Sequence, residues 1–260
     1  WAVAPARTRN GYALLAGDPH LELTLPSIWY EVHLVVPGKL DVYGVTIPGA
    51  PAVIIGFNRD VSWTFTNTGA DVMDFYRETV DDSLNPTRYQ VDGEWRDLVT
   101  RVEEYRDQSG NVIHTDTVRY THRGPMTRDH GSWVSMRWTV REPSDELRAL
   151  YDASHAHNAY EFEAGIAQNF WAPAQNMLVA DRSGSIAIRS TGHFPIRPGD
   201  HDGRFIFDGS SSSNDWIGFW PVDKYPQSIN PKQGFLASAN QEPEKPESEF
   251  SYLGADNGYE

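Results

Sequence analysis

Between residues 40 and 67 the chain alternates short β-prone runs with tight turns, and this spacing restricts the fold more than any other feature. Residues 40–47 and 61–67 alternate in polarity and are rich in β-branched and aromatic side chains. Residues 52–57 form a short apolar run, typical of a strand buried on both faces. Gly, Pro, Asn and Asp fill the turns at 48–51 and 58–60. Strands that recur about every ten residues predict stacked antiparallel sheets.

Composition excludes several classes of protein. The 260 residues are 39% hydrophobic and 12% aromatic, which argues against disorder and allows one large domain or two. We predict a single unit over residues 1–260. The net charge of −14 disfavours nucleic-acid binding. No apolar run is long enough to span a membrane. The absence of Cys rules out disulfides, zinc–thiolate sites and a Cys nucleophile.

The rest of the chain changes period twice. Residues 81–140 read as a hairpin-rich, ribbon-like insertion with turns at Asp-Gly and Ser-Gly-Asn. Residues 144–169 have helical spacing, with Leu147, Leu150 and Tyr151 on one predicted face. Asn158 and Glu161 make a capping box at the start of a second helix. Residues 176–190 return to strand as a hairpin around a short Gly loop.

Two stretches near the N-terminus match a known pattern, L-L-A-G-D-P-H-L at 14–21 and W-Y-E-V-H-L at 29–34, and W-A-V opens the chain. The block that follows adds Gly, Pro and Asn residues at fixed spacing: Val42, Gly44, Thr46, Pro48, Gly49, Pro51, Val53, Gly56, Asn58, Trp63, Thr66 and Asn67. Together these residues resemble the start of the β-chain in the penicillin acylase family, a branch of the N-terminal-nucleophile hydrolases.

The resemblance continues through residues 176–197 and 216–243, so it covers nearly the whole chain but only about the first half of a family β-chain. It implies an α+β protein with a four-layered αββα fold of largely antiparallel sheets. It also implies a nucleophilic Ser three residues before Trp1, exposed when a zymogen cleaves itself. A family member pairs with the α-chain of its own precursor as a heterodimer and is exported, to the periplasm or the medium.

The resemblance assigns catalytic roles to three residues of this chain. An amide hydrolase needs a nucleophile, a base and a stabiliser for the oxyanion. In this family the Ser hydroxyl attacks and its own α-amino group accepts the proton. Asn240 is expected to supply a side-chain N–H to the oxyanion and Asn67 a backbone N–H. His20 is expected to lie beside the nucleophile and orient it, as in the cephalosporin and lactone acylases.

Binding of the acyl group requires an apolar pocket. We predict Leu21, Ile54, Ile55 and Phe65 for it, because they lie in or beside the matched motifs; ordinary core packing is the alternative for each. The acyl group stays open among penicillin G, glutaryl-cephalosporin and acyl-homoserine-lactone substrates.

A metal site is a further expectation from the resemblance, although the chemistry requires no cofactor. Some family members bind a structural calcium where this chain has Asp71, Met73 and Asp74. Two carboxylates and a carbonyl fall short of the six to eight oxygens that Ca²⁺ takes. The alternative is a pair of solvated acids at a strand start.

Two other functions remain open from the residues alone. The nine Trp residues and the missing nucleophile also fit an inactive acylase-like protein or a carbohydrate-binding protein. His155 and His157 raise the possibility of a metal hydrolase, but they point apart on a helix and no third ligand is near. His122 precedes an Arg where the family has Gly, so we predict a structural role for it.

Overall fold

The structure, a computed structural model, describes residues 1–19, 21–199 and 203–241. Its two α-helices are adjacent in sequence, α1 (Glu146–His155) and α2 (Ala159–Asn169). In chain order, the strands are β1 (Ala2–Val3), β2 (Leu14–Leu15), β3 (Tyr30–Val36), β4 (Leu40–Thr46), β5 (Ile55–Phe57), β6 (Val61–Asn67), β7 (Met73–Arg77), β8 (Thr79–Val80), β9 (Arg88–Val91), β10 (Glu94–Asp97), β11 (Val99–Arg106), β12 (Val112–Tyr120), β13 (Met126–Asp129), β14 (Ser132–Trp138), β15 (Gln175–Asp181), β16 (Ile186–Thr191), β17 (Pro195–Ile196), β18 (Phe207–Asp208), β19 (Gly218–Phe219), β20 (Gln227–Ile229) and β21 (Phe235–Leu236).

The chain divides into two compact units, where the sequence predicted one. The first is made of Trp1–Asp71, Glu142–Phe194 and Trp220–Glu260, and the second of Val72–Arg141 and Pro195–Phe219. The predicted insertion at 81–140 falls inside the second unit. Neither helix among the described residues is long and apolar enough to cross a membrane.

The first unit has three layers. A seven-stranded sheet in the order β20-β16-β15-β6-β5-β4-β3 lies between the two helices and a small sheet in the order β2-β1-β21. Its interior strand β15 is buried along its whole length. Because side chains alternate across a strand, Met177 and Val179 pack towards the helices, whereas Leu178 and Ala180 pack towards the small sheet.

The start of α2 confirms the predicted capping box. The Asn158 side chain accepts a hydrogen bond from the N–H of Glu161 at 2.9 Å. The Glu161 carboxylate in turn accepts from the Asn158 side chain and from the N–H of His157, both at 2.8 Å. The first of these bonds satisfies a donor that the first helical turn leaves open, and the other two hold the Glu161 side chain against the residues that enter the helix.

The predicted face of α1 is wrong in two of its three residues. Leu150 is buried, but Leu147 and Tyr151 are more than half exposed. The buried face is built instead from Leu150, Ala149 and Ala153. Small side chains let the helix approach the sheet closely. A prediction based on the large apolar residues therefore does not identify the face that packs against the sheet.

Strand β5 is shorter and more exposed than the predicted strand at 52–57. Only Ile55–Phe57 pairs as a strand, and Phe57 is half exposed. Gly44 of β4 lies directly opposite Gly56 of β5. A Cβ on either glycine would lie 2.2 Å from a carbonyl oxygen of the other strand, so this close approach requires glycine on both sides.

The second unit consists of small sheets. The largest has the order β13-β14-β7-β18, and β8, β9 and β10 form another. The pair β11–β12 is the exposed ribbon that the sequence predicted, and its turn lies at Ser109-Gly110.

A buried charge network in the second unit gives His122 the structural role predicted for it. The guanidinium of Arg123 donates to Glu78 at 3.1 Å and to Asp215 at 2.6 Å. The ring of His122 bonds the same Asp215 at 2.9 Å and the hydroxyl of Tyr89 at 3.1 Å. The inserted arginine therefore anchors three segments of this unit.

Candidate active site

The N-terminus lies on the central strand of the small sheet in the first unit. The amino group of Trp1 donates to the carbonyl of Ala16 at 2.9 Å, and the N–H of Ala16 donates back to Trp1 at 2.9 Å. On its other side β1 pairs with β21, with Ala2 opposite Leu236. Because β21 runs antiparallel to β1, the residues that follow Leu236 leave the sheet at the end where Trp1 lies.

Asn67 and Asn240 are brought together at this end of the first unit. The side-chain amide of Asn240 donates a hydrogen bond to the carbonyl oxygen of Asn67 at 3.0 Å. Asn240 has a φ of 66°, in the left-handed region that Asn tolerates better than most residues. Two of the three predicted catalytic residues are therefore neighbours, and the third, His20, lies outside the described residues.

The backbone amide of Asn67 points to the side from which Asn240 approaches. Asn67 lies opposite Gln175 of β15, and the next residue, Thr68, donates its N–H to Ala174 at 3.5 Å. In an antiparallel ladder, this pattern makes Asn67 and Gln175 a non-hydrogen-bonded pair. The N–H and C=O of Asn67 both point away from β15, and the C=O meets Asn240. This side therefore carries N–H groups that can stabilise a negatively charged oxygen.

A chain of hydrogen bonds beneath this point was missed by the sequence reasoning. Ser190 donates to the Asn176 side-chain oxygen at 2.7 Å, and the Asn176 amide donates to the Ser238 hydroxyl at 3.3 Å. The Ser238 hydroxyl also bonds the hydroxyl of Thr66 at 2.5 Å. Thr66 and Asn176 are direct cross-strand partners. Thr66 and Asn176 both belong to matched motifs, but a single sequence does not show that both of them bond Ser238.

The predicted acyl-pocket residues do not form one pocket. Gly56 of β5 lies opposite Trp63 of β6, and Trp63 belongs to the core beneath the helices. Phe65 is two residues further along β6 and packs against the same core. Ile55 is next to Gly56 and so faces the opposite side of the sheet.

The other two predicted pocket residues, Leu21 and Ile54, lie at different places in the first unit. Leu21 is half exposed in an irregular segment. Ile54 precedes β5, and its carbonyl accepts a hydrogen bond from the Trp63 indole at 2.9 Å. The prediction used nearness in sequence, whereas the side of the sheet on which a residue lies depends on strand register.

The structure gives Asp74 of the predicted calcium site a different partner. The Asp74 carboxylate is fully buried in the second unit and binds the guanidinium of Arg197 through both oxygens, at 2.8 and 3.0 Å. The indole of Trp216 donates to it as well. A carboxylate already bound to a buried cation is a poor calcium ligand. Asp71 is the last residue of the first of the three segments that make up the first unit, and Met73 begins β7. In the part of the chain that the structure describes, no set of three or more metal-binding side chains occurs.

The rings of His155 and His157 bond different acceptors, each through its Nδ1 atom. The Nδ1 atom of His155 bonds the carbonyl of Tyr151 at 2.8 Å, and that of His157 bonds the Asp60 carboxylate at 2.9 Å. The bond to Asp60 raises the pKa of His157. These contacts favour local structural roles over the metal hydrolase.

A second feature of the first unit is a buried carboxyl in a cavity of about 530 Å³ between α2, β16 and β20. Glu163 is 5% exposed, and no described residue donates a hydrogen bond to either of its carboxylate oxygens. The guanidinium of Arg189 lies 3.6 Å away, beyond hydrogen-bond distance. Burial raises the pKa of Glu163 to about 7, and Arg189 offsets only part of this effect.

Glu163 is expected to make stability fall as the pH rises from about 4.5 to 7. Because its pKa is higher in the folded state, the folded protein holds the proton over this range while the unfolded chain releases it. Glu163→Gln removes this cost, so at pH 8 the variant is expected to be more stable by up to about 3 kcal/mol. Near pH 4.5 the difference should be small. Thermal unfolding at both pH values measures it, with Glu22→Gln in an exposed segment as the control. Equal effects at the two pH values would contradict the expectation.

Comparison with known proteins gives the family. The penicillin amidase family model matches residues 1–259. The chain is 34% identical over 247 residues to the acyl-homoserine lactone acylase QuiP of Pseudomonas syringae pv. syringae (strain B728a), covering 93% of this chain and 29% of that protein. It is 26% identical over 264 residues to penicillin G acylase of Escherichia coli, covering 98% of this chain and 31% of that protein.

A solved structure agrees with the sequence relatives. The penicillin G acylase from Alcaligenes faecalis matches with a TM-score of 0.84 at 26% identity, over 98% of this chain and 46% of that one. The chain thus spans less than a third of the length of the curated relatives it matches. It belongs to the penicillin amidase family and has the α+β fold of the N-terminal-nucleophile hydrolases.

Proposed function

We propose that this chain is part of an amidohydrolase that cleaves N-acyl amides, and that Asn67 and Asn240 stabilise the oxyanion of the reaction. The observation that carries the proposal is the 3.0 Å contact of the Asn240 amide with Asn67, on the side to which the Asn67 N–H points. An amide nitrogen carries two N–H groups, so Asn240 can donate to Asn67 and to a substrate oxygen. Two such donors, aimed where charge develops, are what acyl transfer needs.

The nucleophile of this proposal is a Ser three residues before Trp1. The register of β1 and β21 pairs Val3 with Phe235 and Ala2 with Leu236. Strand β21 ends at Leu236, and the segment that follows it carries Asn240 at the end of β1 where Trp1 lies, so we place the third residue upstream of Trp1 beside this segment. A Ser at that position would have its hydroxyl beside the two N–H donors. The register thus supports the expectation from the family resemblance.

The reaction then proceeds in two halves. The Ser hydroxyl attacks the amide carbonyl carbon while the α-amino group of the same Ser takes the proton, since that amine has a pKa near 8 in model peptides. The C–N bond breaks, the leaving amine takes the proton, and an acyl-Ser ester remains. Water hydrolyses the ester and restores the Ser. Because the base is an α-amine, the enzyme must first be released from a precursor by autocatalytic cleavage.

Acyl-homoserine lactones are the substrate class we propose first. The relatives that exceed 30% identity over more than nine-tenths of this chain include acyl-homoserine lactone acylases of Pseudomonas syringae and Pseudomonas fluorescens, at 34% and 32%. The penicillin acylases match at 26% to 28%. The side chain of a β-lactam antibiotic is the second candidate.

We further propose that the rest of the acylase polypeptide, including its α-chain, covers the segment before β3. Leu23 and Leu25 are almost completely exposed there, and Leu21 and Ile28 are partly exposed. A stretch with this much apolar surface is suited to burial against another chain segment. Export to the periplasm or the medium is proposed on the family resemblance alone.

The test is amide cleavage by the full-length, processed protein. It is expected to release homoserine lactone and a free fatty acid from N-acyl-homoserine lactones, with both products measured by mass spectrometry. Replacement of the upstream Ser by Ala should lower turnover by a factor of about 10⁴ or more. A binding protein would return the ligand intact. Failure of the processed protein to cleave any lactone, penicillin or cephalosporin amide would overturn the proposal.

A further inference from the structure

The hydroxyl of Ser238 joins two strands of the large sheet to the segment that carries Asn240. It accepts from the Asn176 amide of β15 at 3.3 Å and shares a hydrogen bond with Thr66 of β6. Asn176 and Ser190 are both buried, and the Ser190 hydroxyl bonds the Asn176 side-chain oxygen at 2.7 Å. Because Ser190 holds the oxygen of this amide, its NH₂ group must face Ser238.

Ser238 makes these hydrogen bonds just past the end of strand β21. Strand β21 ends at Leu236, so pairing with β1 no longer holds the backbone at Ser238. The turn that follows has one local brace, in which the Gln241 side chain accepts from the N–H of Ala239 at 2.6 Å and donates to the carbonyl of Ala237 at 3.3 Å. That brace lies within the turn and does not tie it to the sheet. The hydroxyl of Ser238 does tie it, two residues before Asn240.

The hydrogen bond between Ser238 and Thr66 also lies next to Asn67, the other proposed donor. Thr66 precedes Asn67 on β6, and Asn176 is its direct cross-strand partner. Asn67 has its own support on the opposite face of the sheet, where the Gln175 amide donates to its side-chain oxygen at 2.8 Å. Movement of Ser238 away from Thr66 would therefore change the distance between Asn240 and Asn67, while Asn67 itself stays in place.

We propose that Ser238 is a positioning residue, which holds the Asn240 amide at the distance from the Asn67 N–H that the oxyanion requires. This inference rests on the proposed function, since it concerns the same site. A donor that stabilises a transition state loses its effect when it shifts by about 1 Å. The Ser238 hydroxyl, oriented by Asn176 and Thr66, prevents that shift.

The test is a double-mutant cycle in the processed, full-length enzyme with an N-acyl amide substrate. Ser238→Ala is expected to lower kcat about 10-fold and to leave KM within about 2-fold, because the lost stabilisation belongs to the transition state. In the Asn240→Ala background the same substitution should change kcat by less than about 2-fold, since there is no amide left to position. Ser238→Thr keeps the hydroxyl and should retain most of the activity.

The controls separate this idea from general structural damage and from the proposed function. Ser144→Ala removes an exposed hydroxyl that bonds Glu146 and should leave kcat unchanged. Equal losses from Ser238→Ala in both backgrounds, or a loss confined to KM, would overturn the positioning role and leave Asn240 in the mechanism. Full activity of Asn240→Ala would overturn the oxyanion role itself, and the positioning role with it.

Discussion

Asn240→Ala is expected to lower kcat for N-acyl amide hydrolysis by roughly 10²–10³-fold, the loss found when one oxyanion donor is removed from another hydrolase. The side chain of Asn240 makes its described contact with the carbonyl of Asn67 in an exposed turn, so its removal leaves the cores of the first unit intact. The full-length protein should therefore fold and process itself as before. Single-turnover kinetics measures the acylation step directly.

Substitution of Asn67 makes a sharp comparison with Asn240. Because the proposal uses the backbone N–H of Asn67, Asn67→Ala keeps the donor and removes only the contact of its side chain with Gln175. Its loss in kcat should stay below about 10-fold, well short of that for a missing donor. Asn10→Ala, in an exposed turn of the same unit, serves as the control. Near-native kcat in Asn240→Ala would remove this residue from the mechanism.

Asp74→Leu is expected to destabilise the protein by about 3–5 kcal/mol, because it leaves the Arg197 guanidinium buried without its carboxylate. Both side chains are almost fully buried, and the pair is bidentate. Urea unfolding of the protein measures the change. Arg148→Ala breaks the exposed pair with Asp152 and should cost at most about 0.5 kcal/mol.

The double variant Asp74→Leu with Arg197→Leu distinguishes the ion pair from a metal site. Removing both charges should cost less than Asp74→Leu alone, because no unpaired charge remains buried. A chelator such as EDTA should leave the unfolding midpoint of the native protein unchanged. A midpoint that falls with EDTA and recovers with calcium would restore the calcium site and contradict the assignment of Asp74 to Arg197.

Local patterns predicted the elements that depend on neighbours in the chain. Strand β6 has the bounds that its alternating polarity predicted. One face of this strand is buried, and a half-buried strand gives an alternation with a period of two residues. The capping box at Asn158 and Glu161 was also correct, because its partners are three residues apart and the helix geometry brings them together. The face of α1 was not predicted, because its contact depends on how closely the helix approaches the sheet.

The candidate site shows the same division. The match to family motifs nominated Asn67 and Asn240, and the 3.0 Å contact between residues 173 positions apart supports that pairing. The same reasoning grouped Ile55 with Phe65, which the register puts on opposite faces of one sheet. It also read Asp74 as a metal ligand, because nothing near it in sequence indicates Arg197, 123 positions away.

The sequence by itself determined the family and the antiparallel architecture and nominated the two asparagines, because these depend on motifs, turn residues and alternation along the chain. Only the tertiary structure decided the side of the sheet on which each residue lies, the counterion of Asp74 and the contact of Ser238 with Asn176 and Thr66. The physical reason is that register, packing distance and the pairing of buried polar groups are set between segments far apart in the chain. A pattern within one segment carries no information about the distance to its partner.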